Sequence, residues 1–153
     1  MSLNVYLEID QPHDAPTRQA IFVCRGGAAV EITREDWDAL HPGVEPAMTM
    51  VSISPGDPAR VFEHKITHNL RKLAEAAGIY RHLWRPEEID ISHARQLVES
   101  LSEGLQRLKA DPETYRRHSP PNGWRDYDGL VAFVEAYLAA CREHPEAKVR
   151  VWR

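Results

Sequence analysis

The sequence predicts an α+β fold, a small antiparallel or mixed sheet packed against three to four helices. Three observations predict it. Short runs rich in β-branched and aromatic residues, each bounded by turn formers, crowd the first part of the chain. From Leu70 to Cys141 apolar residues recur at helical spacing. A last run, AKVRVW at 147–152, alternates and supplies a closing strand. The 153 residues fit one domain, 1–153, with a β-rich half at about 1–60, a helical half at about 61–146 and the closing strand at 147–152.

LNVYLEI (3–9) and QAIFVC (19–24) read as strands. Arg25-Gly26-Gly27-Ala28 provides a permissive hairpin turn into AVEI (29–32). Thr33 offers an N-cap to REDWDAL, with Glu35 and Asp36 in the first turn and Trp37 and Leu40 inward. His41-Pro42-Gly43 ends that helix, and AMTMVSI (47–53) predicts another strand before the Pro55–Pro58 loop. RVFEHKI (60–66) follows as a strand, and Thr67 as N-cap of a helix burying Leu70, Leu73, Ala74 and Ala77, closed by Gly78. Residues 79–86 read as a compact connection, because Pro86 biases Arg85 away from helical geometry.

Ser92 or Asp90 is expected to cap a longer helix whose Ala94, Leu97, Val98, Leu101, Leu105 and Leu108 make one core-facing stripe. Asp111-Pro112-Glu113 starts a short helix through Tyr115, ended by a loop at 119–123. The final helix, 128–142, turns Leu130, Val131, Val134, Tyr137, Leu138 and Cys141 inward.

Composition narrows function. A net charge of −4 argues against a broad nucleic-acid footprint. The longest apolar runs fall short of the roughly 20 residues a bilayer span needs, and MSLNVYLEID lacks a basic region followed by an apolar stretch, so a cytoplasmic setting is expected. Cys24 and Cys141 form no CxxC pair and read as buried thiols. No GxSxG, GxxxxGK[ST] or GxGxxG motif is present, which removes the usual support for serine hydrolase, P-loop and Rossmann readings.

The richest stretch is FEHKITHNLRKLAEAAGIYRHLWRPEE (62–88), which gathers histidines, an asparagine, a tryptophan and arginines around one short helix. His64 and His68 are four apart, as helix-borne metal pairs are, but no glutamate completes an HExxH, and a cap at Thr67 splits them between strand and helix. They are weak metal candidates, completed only if Glu63, His82 or His93 lies near. His68 and Asn69 would instead occupy a helix start able to attract a polar or anionic ligand, with Lys65 and Arg71 nearby. Leu83-Trp84-Arg85-Pro86 and Asn122-Gly123-Trp124-Arg125 are aromatic and arginine elements able to stack on planar groups and bond anions, or equally to close the ends of the helical core.

ITHNL, LWRPEE and NGW resemble the motifs of a family of small uncharacterised phage and bacterial proteins, over residues 61–153, with ITREDW as weaker support. His68, Asn69, Trp84, Arg85, Gly123 and Trp124 fit those motifs. The resemblance implies a site without naming its chemistry or a cofactor. The expected function is a binding or accessory domain for a polar small ligand or protein partner, using His68, Asn69, Trp84, Arg85, Asn122 and Trp124. The alternative is a small hydrolase or transferase in which His68 is general base or metal ligand, oriented by a carboxylate such as Glu63, Glu87 or Asp126.

Overall fold

The computed structural model describes residues 2–11, 14, 16–25, 28–47, 49–54, 58–119 and 127–153. Among the described residues six strands form one sheet: β1 (Ser2–Ile9), β2 (Arg18–Arg25), β3 (Ala28–Ile32), β4 (Met50–Ile53), β5 (Ala59–Thr67) and β6 (Lys148–Trp152), in the order β4-β2-β3-β5-β1-β6. Every pairing is antiparallel. The chain is therefore not laid down half by half. β1 sits between β5 and β6, with Leu7 opposite both Phe62 and Val149. A register shift after Leu7 leaves Val61 as the extra residue of a β-bulge, and Glu8 then faces Arg60.

Alternation assigns the faces. Leu3, Val5 and Leu7 of β1 and Phe62, His64 and Ile66 of β5 point inward and are buried. Tyr6 points outward, roofed by Arg60, whose Cζ lies 4.3 Å from the ring centroid. Helices cover the inner face of β5, β1 and β6. α6 (Tyr127–Glu143) crosses β5, with Tyr137 stacked on Phe62 (centroids 5.2 Å apart) and Phe133 against His64 (4.7 Å). α4 (Val98–Ala110) packs beside it, and the Tyr127 hydroxyl donates to the Leu108 carbonyl at 2.6 Å.

Local chemistry sets the other helices. α1 (Arg34–Leu40) starts on a capping box in which the Thr33 hydroxyl accepts from Asp36 N–H and the Asp36 carboxylate accepts from the Thr33 backbone. Trp37 is its one buried residue, while Leu40 is 52% exposed instead of inward. α2 (Arg71–Ala76) closes in a Schellman motif: Gly78, at φ +75°, donates to Glu75 and Ile79 donates to Ala74. α5 (Pro112–Arg116) is capped by Asp111 through Thr114.

Several expectations change. Residues 80–84 form a helix, α3 (Tyr80–Trp84), because buried Ile79 and Leu83 seat the segment on the core. Pro86 acts only on Arg85, which leaves helical geometry at φ −143°. β4 begins at Met50, since Thr49 and Met50 turn back onto the Pro46 carbonyl. The long helix is led in by a 3₁₀ turn, Ala94–Gln96, and it is Gln96 that accepts from the backbone of Ser92 and His93. In α6 Phe133 is buried and Val131 only partly so. Cys24 is exposed, and only Cys141 is buried.

Candidate functional site

β5 ends at Thr67, and a 3₁₀ turn, His68–Leu70, leads into α2. Thr67 stands at the cap position, but its side chain makes no cap hydrogen bond. The expected helix start therefore opens as a 3₁₀ turn that continues into the six residues of α2. The turn instead aims His68 at α3.

In α3, Tyr80 and Trp84 are four residues apart and share one face. Their rings stack with centroids 5.4 Å apart at 24°. Trp84 is 1% exposed, and its indole N–H donates to His68 Nδ1 at 3.2 Å. An indole nitrogen can only donate, so Nδ1 must accept and the His68 hydrogen sits on Nε2. On the other side of Tyr80, Arg71 Cζ lies 5.0 Å from the ring centroid, within cation–π range. Four side chains therefore form one file: Arg71, Tyr80, Trp84 and His68.

Arg85 adds a second cation. The Tyr80 hydroxyl, and then the Glu88 carboxylate at 2.6 Å, raise its guanidinium above the usual arginine range. Glu75, with Tyr80 after it, does the same for Arg71, which Arg85 opposes weakly as a neighbouring like charge. Arg71 uses Nε on Glu75, at 2.8 Å. Both arginines keep large exposed surfaces, so their remaining N–H groups face solvent. Beside this file lies an open depression of about 700 Å³, lined by Arg71, Glu75, Tyr80, Arg81, His82 and Ile91 among others. His82 is half-buried on its wall, and burial, then the positive charge of Arg107, lowers its pKa.

The expected residues divide. His68, Trp84 and Arg85 come together around Tyr80, and Asn69 is exposed beside them. Asn122, Gly123, Trp124 and Asp126 lie outside the described residues. His64 belongs elsewhere, buried among Phe62 and Phe133. His93 contacts Ser92 and bridges to Lys148, Glu63 pairs with Arg60 on the outer face, and Glu87 pairs with Arg153. Among the described residues, no group of three or more His, Cys, Asp or Glu is placed to hold a metal ion. Cys141 is no candidate nucleophile, since burial pushes its thiol up to about 12. No helix among the described residues is long and apolar enough to cross a membrane.

Sequence reasoning missed Tyr80, the centre of the file. Its signal was present as the i, i+4 spacing to Trp84, legible once 80–84 is read as a helix. Comparison of the chain with family models, curated proteins and solved structures finds no match.

Proposed function

We propose that the protein is a binding domain whose Arg71–Tyr80–Trp84–His68 file, with Arg85 beside it, takes a polar small ligand carrying an anionic group next to a planar one. The observation that carries this reading is the convergence of two guanidiniums on one stacked tyrosine at the edge of an open depression. Arginine's planar fork suits carboxylates and phosphates, and the tyrosine face suits an aromatic or heterocyclic ring. Two neighbouring buried polar atoms, Thr67 Oγ1 and His68 Nε2, have no hydrogen-bond partner among the described residues, and such atoms are uncommon unless a ligand or water serves them. The resemblance expected from the sequence motifs falls on three of these residues, His68, Trp84 and Arg85, and does not extend to Arg71 or Tyr80. A hydrolase or transferase using His68 has less support, because Trp84 occupies the one ring nitrogen that could accept a proton or bind a metal.

Titration with phenyl phosphate, followed by the NMR signal of the Trp84 indole N–H, tests the proposal. A saturable shift is expected, weaker with inorganic phosphate alone and lost in the Arg71→Ala, Arg85→Ala double variant. No shift at millimolar phenyl phosphate, or a shift the double variant keeps, overturns it.

A further inference from the structure

Three guanidiniums gather around Tyr80, and only two of them have a carboxylate. Arg71 gives Nε to Glu75, and Arg85 gives Nη1 to Glu88. Arg81 is exposed, lines the same depression as Arg71 and Tyr80, and has no carboxylate partner among the described residues. Of the charged side chains that line this depression, Arg71, Glu75 and Arg81, the first two pair with each other, so the unmatched charge is that of Arg81. Asp90, the carboxylate between the lining residues Ile89 and Ile91, does not line it.

Arg81 also precedes Arg85 by four residues on α3, a spacing that brings two like charges together at a cost to the helix. Arg85 in turn is close enough to Arg71 to act on it as a neighbouring like charge. The wall beyond Arg81 is electropositive as well. His82 lines it, and Arg107 stands behind, donating Nη1 to the Ala77 carbonyl at 3.0 Å and engaging Glu103 through Nη2.

We infer, on the strength of the site proposed above, that the anionic group of its ligand is a diphosphate, with one phosphate on Arg71 and Arg85 and the second on Arg81, leaving the planar group to Ile89 and Ile91. Two linked phosphates spread their charge over two centres, which suits guanidiniums on separate elements better than a single phosphate does. A phosphate seated between Arg81 and Arg85 relieves the repulsion of that pair. The volume agrees: about 700 Å³ falls in the range of sites for drug-sized ligands and leaves room beyond one phenyl phosphate.

Isothermal titration calorimetry at low ionic strength, without added divalent cations, tests this with phenyl phosphate and phenyl diphosphate, which share a ring and differ by one phosphate. The diphosphate is expected to bind about tenfold tighter, the gain of one charge-assisted contact. Arg81→Gln should abolish that gain and leave phenyl phosphate binding within about twofold, because a more distant exposed charge is largely screened. Arg142→Gln, which removes an exposed arginine of α6, should change neither. Circular dichroism verifies that both variants fold. Equal affinities for the two probes overturn the diphosphate and leave the site standing. So does a gain that Arg81→Gln keeps, or one that Arg142→Gln also removes. Failure of both probes to bind removes the site, and the diphosphate with it.

Discussion

The two ends of the sheet carry the same alternating pattern but meet different surroundings. On β5, β1 and β6 the inward residues Leu3, Leu7, Ile66 and their neighbours lie beneath the helices and are almost wholly buried. On β2, β3 and β4 the same face carries Ile21, Val23, Val30, Ile32 and Met50. None of these belongs to the main core, and Val30 and Met50 are more than a third exposed. Alternation thus states which face is apolar. It does not state whether anything covers that face, because the cover comes from helices distant in sequence.

The largest expected effect tests whether the contrast is energetic. Trp84→Ala, in the helical core, should cost about 3–5 kcal/mol, as large aromatic truncations in cores do. Trp37→Ala, in α1, should cost clearly less, since Trp37 stands outside that core, its ring tilted against His41 and its indole N–H donating to the Val44 carbonyl. Urea denaturation of both variants measures this, and equal losses would merge the two regions into one cooperative core.

A methyl group probes packing on each side. A Cβ at Gly104 in α4 would meet Ile79 Cγ2 at 2.2 Å, and Ile79 is fully buried. Gly104→Ala should therefore destabilise by about 1–3 kcal/mol, although alanine is the better helix former. At Gly43 an added Cβ meets nothing within 4 Å, and only its φ of +74° constrains the residue. Gly43→Asn, which tolerates that backbone, should change stability by at most about 0.5 kcal/mol. Thermal melts that rank the two in reverse would break the comparison.

The smallest effect belongs to the helical side alone. His82 has a folded-state pKa below its ordinary 6.5. As pH falls through about 6.5 the unfolded chain takes up this proton first, so the stabilisation is complete above that pH and is lost toward the folded pKa. The wild type should lose more stability on acidification than His82→Gln, by urea midpoints at about pH 7.5 and 5.5. Parallel losses would remove His82 from the account.

Much of this was legible because it is local. The Thr33–Asp36 capping box, the closure at Gly78 and the Asp111 cap depend on residues within a few positions of one another. Thr67 resembled them in sequence, yet its hydroxyl is buried and makes no cap hydrogen bond. The same limit applied to the site. Trp84 and His68 were separately visible, but the bond between them spans a turn, a helix and a loop, and Tyr80 joined them only once α3 was recognised as a helix. His64 and His68 shared a spacing without sharing a neighbourhood.

The central place of β1 governs how the chain comes to be made. A ribosome delivers β1 well before β5, and β6 later than either. Leu3, Val5 and Leu7 must stay unburied through most of synthesis, and the sheet can close around β1 only when residues as late as Val149 and Val151 have emerged. Such long-range pairing slows folding and leaves an apolar strand open to chaperones or to wrong partners in the interval.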